Sequence, residues 1–441
     1  MKRKIFVNFI KFLSDNDIDY AVLGNTQLYP DLIDGDVDIV FNPTVYKDVN
    51  SVMFSFANTY HYSIVNLFEH EIEAKYFVVT CISENESREE SASLALDFCC
   101  NYYRKNRLIL LASFLLKNNS ITNVNGINMK IPSTNAAFVY YLVKKMEKGF
   151  FSTHQLAYLR GLWLSDKERI LQTLNLMFEN NFVENINRVM DSNQTERESN
   201  NLLLNHKDQL IKKFKVNWSD VLPDLIRKYR RCIKPTGLVV AFLGCDGSGK
   251  STVIELLKQQ IIQTQEFRGV SYHHLYPKSK AVKNATPVTN PHQQQTRNRF
   301  TSFLKLIYFS LRYFVGNLLI VFPEKISSRL IIFDRYYHDI LVDPIRYRHK
   351  GNKWLTTFLS KMIPKPDLIF YVDAPVEVLQ ARKQEVSFEE SSRQRKAYIQ
   401  LSSQLPNVAI IENVGNPEEA SSLVHRKIDL FLAKRFIKYY S

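Results

Sequence analysis

A glycine-rich segment just past the middle of the chain carries residue types that bind phosphate. Residues 244–252 read GCDGSGKST, which fits the spacing G-x-x-x-x-G-K-[ST]. Its backbone amides can turn toward a phosphate at the positive end of a helix, Lys250 can add a point charge, and the Ser251 hydroxyl can ligate magnesium. The predicted phosphate loop consists of Gly244, Asp246, Gly247, Ser248, Gly249, Lys250, Ser251 and Thr252.

Two acidic residues follow apolar runs in the same part of the chain. Asp334 comes after the run LIIF and Asp373 after DLIFYV. Open α/β sheets bind ligands at the carboxyl ends of their strands, where Asp334 can order magnesium and Arg335 can form a forked contact with a phosphate. A charged helical stretch follows, which carries Arg382, Arg393 and Arg395.

The elements around these residues indicate three regions. From Leu238 onward, apolar runs and helical patterns alternate, which is typical of a parallel sheet covered by helices on both faces. Short strand-like runs dominate residues up to about Arg104, and helical spacing dominates the middle of the chain. We predict an α+β domain at residues 1–104, a helical domain and linker at 105–232, and an α/β domain at 233–441.

The last region resembles the thymidylate kinase family of P-loop nucleotide kinases. The matching segments are DGSGKST, FDRYYHD, PKPDLIFYVDAPVEVLQARK and the closing strand NVAIIENVGNPEE. The resemblance implies a P-loop kinase fold and transfer of the ATP γ-phosphoryl group, with Mg²⁺, to a phosphate or hydroxyl acceptor. It implies that Lys250, Ser251 and Thr252 hold ATP and metal, and that Asp246 faces the acceptor's sugar. Asp334 and Arg335 would then serve the metal and the acceptor phosphate, and the three arginines would supply the lid.

The sequence departs from thymidylate kinases proper at the predicted acceptor site. These carry an arginine-glutamate-proline element after the second strand, whereas residues 273–277 read HHLYP. Asp343, Arg346 and Arg348 form a second candidate grip for an anionic acceptor. With the long insert that precedes Asp334, this resembles kinase-like proteins encoded with bacterial surface-polysaccharide genes. The resemblance implies a phosphorylated small acceptor: a nucleoside monophosphate, a phosphosugar or a polyol.

The N-terminal region contains a second set of acidic residues. Asp36 and Asp38 are two positions apart on a predicted strand, so their side chains share a face, and Asp97 lies on a later strand. With Gly24, the set resembles the DNA polymerase β-like nucleotidyltransferase fold, which implies two Mg²⁺ ions at the three aspartates. Asn25 replaces a small residue after the glycine, so an inactive acceptor-binding platform remains an alternative. We expect Lys144, Lys145 and Lys148 to be solvated or to line the acceptor cleft.

Composition limits the remaining choices. The net charge of +14 favours an anionic partner, and five cysteines in no metal or disulfide pattern favour a reducing cytoplasm. The apolar stretch 300–322 contains Lys305 and Arg312, and charged side chains are costly inside a bilayer. We therefore expect a buried or interfacial helix pair here rather than a membrane span. Peripheral contact with the inner membrane is an open alternative. The aromatic residues follow core periodicity, which disfavours a nucleic-acid partner. A nucleic-acid-responsive ATPase of defence type is the alternative function, and a dimer is compatible with the sequence.

Overall fold

The computed structural model describes residues 1–82, 93–192, 194–208, 213–214, 216–277, 298–350, 353–384 and 386–440. The chain forms two compact units. Of the described residues, the first unit contains Met1–Cys81 and residues 93–229, and the second contains the chain from Arg230 onward. The domain limits predicted above stay a prediction.

A mixed five-stranded sheet forms the centre of the first unit. Its strands are β1 (Tyr20–Leu23), β2 (Val37–Phe41), β3 (Ser63–Glu71), β4 (Ala74–Thr80) and β5 (Ser93–Cys99). The order is β1-β2-β5-β4-β3, and β2 runs parallel to β5 while the other neighbours are antiparallel. The apolar runs of the sequence fill these strands, and most of their residues are buried. This arrangement places Asp38 beside Asp97 on adjacent parallel strands.

Two hairpins and a series of helices complete the first unit. The hairpin strands are β6 (Tyr102–Arg104), β7 (Arg107–Leu110), β8 (Ser120–Val124) and β9 (Ile127–Ile131). The helices are α1 (Lys2–Asp15), α2 (Pro43–Lys47), α3 (Val49–Tyr60), α4 (Ala112–Leu116), α5 (Thr134–Lys148), α6 (Thr153–Ser165), α7 (Lys167–Met177), α8 (Asn180–Asp191), α9 (Glu196–Leu204) and α10 (Trp218–Ile233), the last of which continues past Tyr229. Helix α5 ends at Gly149, which adopts φ +81° and so terminates the helix without strain.

A parallel five-stranded sheet forms the centre of the second unit, as the sequence predicts. Its strands are β10 (Leu238–Leu243), β11 (Val270–His274), β12 (Leu330–Asp334), β13 (Leu368–Asp373) and β14 (Val408–Glu412). The order is β11-β12-β10-β13-β14. Strand β10 is central, and the chain continues to β11 on one side and later to β13 on the other. The carboxyl end of β10 is therefore a topological switch point, the place where open α/β sheets bind ligands.

Helices connect the strands of this sheet. They are α11 (Lys250–Thr264), α12 (Arg299–Gly316), α13 (Phe322–Ile326), α14 (Asp339–Val342), α15 (Lys353–Met362), α16 (Val376–Arg382), α17 (Phe388–Gln404) and α18 (Pro417–Tyr440). A π-helical turn, Asn317–Val321, joins α12 to α13. The backbone stays helical from α12 through this turn into α13. The apolar stretch is therefore one continuous helix, and the prediction of two separate helices is wrong. By length and hydropathy this helix, Arg299–Ile326, could span a membrane, although core helices of soluble proteins have the same properties; 33% of its most apolar window is buried. The predicted insert begins at Ala285, and its residues 285–297 lie outside the described residues.

Candidate functional site

The phosphate loop lies between β10 and α11, in the strand, loop and helix arrangement that its sequence pattern requires. Lys250 is buried, and its Nζ atom donates hydrogen bonds to the carbonyl oxygens of Gly244 at 2.7 Å and Cys245 at 2.8 Å. Burial and the nearby Arg335 lower the pKa of Lys250. The Ser251 side chain is exposed at the start of the helix. The loop thus curls around the lysine ammonium group and leaves the Ser251 hydroxyl accessible.

The loop glycines have no room for a side chain. A Cβ atom on Gly244 would lie 2.5 Å from the Val372 carbonyl oxygen, and one on Gly249 would lie 2.3 Å from Asn413 Nδ2. Gly249 also adopts φ +83°, a conformation that L residues rarely adopt. Asn413 in turn donates a hydrogen bond to the Ser248 carbonyl oxygen at 2.8 Å. Close backbone approach therefore fixes the shape of the loop and excludes larger residues at these glycine positions.

Asp334 and Asp373 end the two strands that flank β10. Asp334 is paired in register with Phe242, two residues before the loop, and its Oδ2 atom accepts a hydrogen bond from the Tyr272 hydroxyl at 2.8 Å. Asp373 accepts a bidentate pair from Arg395 at 2.9 and 2.7 Å. The sheet therefore brings both predicted acidic residues to the edge that carries the phosphate loop.

Arg335 links the loop to the segment after β12. Its guanidinium forms ion pairs with Asp246 in the loop and with Asp339, the latter at 2.7 Å. Arg346 also pairs with Asp246, so two guanidinium groups share one carboxylate. Arg335 adopts φ +71°, a left-handed conformation that strains a non-glycine residue and is commonly found at functional sites.

Asp339 is a site residue that the sequence reasoning missed, although it lies within the quoted segment FDRYYHD. It is fully buried, and its two oxygens accept hydrogen bonds from Arg335 and, at 2.9 Å, from Tyr398. Its position in the same short segment as Asp334 and Arg335 was the signal that could have identified it. Tyr272 and Asn413 were missed as well, because no local pattern marks them.

The other predicted acceptor and lid residues contact protein groups. Asp343 is buried and accepts the backbone N–H of Arg346 at 3.1 Å, and Arg348 is half-buried. Arg382 donates to the carbonyl oxygens of Asn413 and Val414, both at 3.0 Å, and Arg393 pairs with Glu390 at 2.7 Å. A Cβ on Gly249 would lie 3.7 Å from an Arg382 nitrogen, so Arg382 is next to the phosphate loop. The catalytic roles of these arginines stay a prediction.

The first unit brings its three predicted aspartates together. A carboxylate oxygen from each of Asp36, Asp38 and Asp97 lies within 4.8 Å of the others, a spacing and an all-oxygen donor set that fit Mg²⁺. Gly24 adopts φ +89°, and a Cβ there would lie 3.8 Å from Asp38 Oδ2. His70 Nε2 is 3.5 Å from Asp97 Oδ2. We call these three residues the N-terminal carboxylate cluster; whether it binds metal stays a prediction.

The expectation that Lys144 is solvated is wrong. Its Nζ atom lies in the carboxylate cluster, where it forms an ion pair with Asp38 and donates a hydrogen bond to the Tyr140 hydroxyl at 3.3 Å. Burial lowers the pKa of Lys144, but Asp38 and Asp36 outweigh this effect and raise the pKa above its ordinary value. Lys144 is therefore a fixed cation at the place where a metal ion would bind.

The second unit is similar to known kinases. Residues 242–420 match the thymidylate kinase family. The structure of thymidylate kinase from Ehrlichia chaffeensis is similar over 43% of this chain and 97% of that chain, with 18% sequence identity and a TM-score of 0.32. The family match contains the phosphate loop, Asp334 and Asp373, which supports a thymidylate kinase-like P-loop kinase in the C-terminal half. The first unit lies outside the matched range.

Proposed function

We propose that the second unit transfers the γ-phosphoryl group of ATP to a phosphorylated small acceptor, either a nucleoside monophosphate or a phosphosugar or polyol phosphate. The main support is the position of the loop. Lys250 lies at the carboxyl end of the central strand, between the strands that end in Asp334 and Asp373. A phosphate loop at the switch point of a parallel sheet favours nucleotide chemistry, and the family match favours phosphoryl transfer.

ATP would bind along the loop and the start of α11. Loop amides and the helix N-terminus would hold the β- and γ-phosphates, and Lys250 would exchange its two loop carbonyls for phosphate oxygens. The Ser251 hydroxyl and the Asp334 carboxylate are oxygen donors of the kind that Mg²⁺ prefers. The metal, when bound, neutralises charge on the phosphates during transfer. The chain itself supplies the cradle and the positioning.

The acceptor would bind where Asp246, Arg335 and Arg346 meet. Asp246 pairs with both Arg335 and Arg346, and Asp339 pairs with Arg335, so two carboxylates balance two guanidinium groups. An acceptor phosphate would replace Asp246 on these guanidinium groups, whose forked N–H donors match phosphate oxygens. Asp246 can then accept a hydrogen bond from an acceptor hydroxyl. This arrangement needs an acceptor with both a phosphate and a hydroxyl, which all of the proposed classes have.

Acceptor-dependent formation of ADP tests this proposal. Purified protein with ATP and MgCl₂ should produce ADP when an acceptor is added, so dTMP, other nucleoside monophosphates, hexose phosphates and polyol phosphates should be screened separately. The preferred acceptor should yield a product that gains one phosphoryl group by mass spectrometry. Stimulation of ATP hydrolysis by DNA or RNA, with no phosphorylated product from any small acceptor, would instead support the nucleic-acid-responsive ATPase.

We further propose a nucleotidyltransferase activity for the first unit, because the N-terminal carboxylate cluster has the donor set for two-metal catalysis. Asp36, Asp38 and Asp97 would hold Mg²⁺, which aligns a nucleoside triphosphate for attack by a hydroxyl group. Lys144 would then have to release Asp38. Release of pyrophosphate from a nucleoside triphosphate measures this activity. Asp38→Asn should abolish it and leave ADP formation by the second unit intact, whereas unchanged pyrophosphate release in Asp38→Asn would contradict the assignment.

A further inference from the structure

A cluster of three ionisable side chains lies in the second unit at the far end of α11 from the phosphate loop. Glu266 follows the C-terminal end of α11, and His425 and Asp429 lie on α18. Helix α11 has 15 residues, so its two ends are about 20 Å apart. The exposed fractions of the three residues are 0%, 3% and 2%. We call them the buried Glu-His-Asp cluster; the proposed kinase chemistry uses none of its members.

Packing between α11 and α18 brings these residues together. Ser421 donates a hydrogen bond to Gln260 Oε1 at 3.0 Å, which fixes the two helices one turn before the cluster. His425 and Asp429 are four residues apart, so their side chains project from the same face of α18. Glu266 reaches this face from the end of α11, and both of its oxygens contact His425 Nε2, at 3.0 and 2.9 Å.

The charge of the cluster favours a cation. With both carboxylates ionised, the cluster carries a net charge of −2 with a neutral imidazole and −1 with a protonated one, so it becomes neutral only with a bound cation or a further proton on a carboxylate. A buried net charge is costly unless it is compensated. A divalent cation in place of the imidazole proton would make the cluster neutral.

Asp429 supplies an independent sign of a ligand. Its Oδ1 atom is buried and accepts no hydrogen bond from the part of the chain that the structure describes. The same atom lies 3.8 Å from His425 Nε2, so it is directed toward the other two side chains. Buried carboxylate oxygens normally have partners, and a missing partner indicates an ion or water at that position.

The distances fit a small tetrahedral cation. Ligand atoms from the three residues all lie within 4.8 Å of one another. Zinc bonds of about 2.0–2.2 Å place tetrahedral ligand atoms about 3.3–3.6 Å apart. His425 Nε2 lies 2.9 Å from a Glu266 oxygen and 3.8 Å from Asp429 Oδ1, and these two distances bracket that spacing. Imidazole nitrogen with carboxylate oxygens is a common zinc donor set, and Glu266 can supply a fourth contact through its second oxygen. We propose that Glu266, His425 and Asp429 bind a structural zinc ion that joins the phosphate-loop helix to the C-terminal helix.

Metal analysis of the full-length protein tests this site. Protein refolded with ZnSO₄ and desalted should contain about one zinc ion per chain by mass spectrometry, and zinc-free protein should melt at a lower temperature. His425→Ala and Asp429→Asn should each lose the zinc. Glu418→Gln changes the charge of an exposed residue on the same helix and should retain it. Asp36→Asn should also retain it, which separates this site from the N-terminal carboxylate cluster.

Two results would overturn the proposal. One is wild-type protein with less than about 0.1 zinc per chain after refolding with the metal. The other is a folded His425→Ala variant that retains the zinc. Should the variants fail to fold, Co²⁺-loaded wild-type protein decides the question, because a tetrahedral site with one nitrogen ligand gives strong visible absorption. A spectrum with only the weak bands of octahedral Co²⁺ would equally refute the site.

Discussion

Replacement of Lys144 by methionine tests whether the N-terminal carboxylate cluster is a cation site. Lys144 and Asp38 form an ion pair whose side chains are only 17% and 16% exposed. Removal of one partner from a buried pair costs about 3–5 kcal/mol, and we expect the lower end, about 3 kcal/mol, since both groups keep some contact with water. For a unit of this size, 1 kcal/mol lowers the melting temperature by about 2–4 °C. Lys144→Met should therefore melt about 6–12 °C lower in metal-free buffer.

Divalent cations should reverse this loss. Once Lys144 is gone, Mg²⁺ or Mn²⁺ is the cation that can neutralise Asp36, Asp38 and Asp97. A cation at 100 times its dissociation constant adds about 2.7 kcal/mol of stability, which nearly offsets the mutation. In wild-type protein the same ion must displace Lys144, so its stabilising effect should be smaller.

Thermal denaturation with EDTA or with excess MgCl₂ or MnCl₂ measures both effects, and titration calorimetry measures Mn²⁺ binding directly. Lys148→Met is the matched control, because Lys148 is exposed on the same helix. It should change the melting temperature little, as exposed substitutions usually cost within about 0.5 kcal/mol. The reasoning fails if neither cation stabilises Lys144→Met more than wild type and no Mn²⁺ binding is detected.

Three further predictions concern the phosphate loop, the acceptor site and pH. Lys250→Ala should reduce acceptor-dependent ADP formation at least about 100-fold, since under the proposed function its ammonium group would stabilise the transferred charge. Lys434→Ala, on an exposed part of α18, should not reduce it, and equal activity of the two variants would refute the role. Arg346→Ala should raise the acceptor KM about 10–100-fold, because the free energy of one charge-assisted hydrogen bond corresponds to that factor. The KM for ATP should stay unchanged, and an increase in the ATP KM alone would argue against an acceptor role. Burial raises the pKa of Asp224, but hydrogen bonds from Lys228, Arg227 and Asn106 outweigh it and lower the pKa to about 2. Because the folded pKa lies below the unfolded value of 3.8, the ionised Asp224 should stabilise the first unit above pH 4, and this stabilisation should be lost as the pH falls toward 2. Acid denaturation of Asp224→Asn should therefore show a smaller loss of stability between pH 4 and pH 2 than wild type. Identical acid profiles of the two proteins would contradict this prediction.

The sequence alone determined the elements whose information is local. The phosphate loop follows from glycine spacing next to a buried strand, because the backbone shape it needs depends on residues within one short segment. The parallel sheet of the second unit followed from apolar runs alternating with helical patterns. The register of β2 and β5 could not be predicted, but the alternation of strand side chains sufficed to group Asp36 and Asp38.

Only the tertiary structure decided which charged side chains share a partner. Lys144 and Asp38 are 106 positions apart and His425 and Glu266 are 159 apart, so no local pattern relates them. The convergence of Arg335 and Arg346 on one carboxylate likewise depends on where the segment after β12 folds back. Long side chains such as lysine and arginine look solvated in a sequence, because their burial depends on a countercharge that another part of the fold supplies.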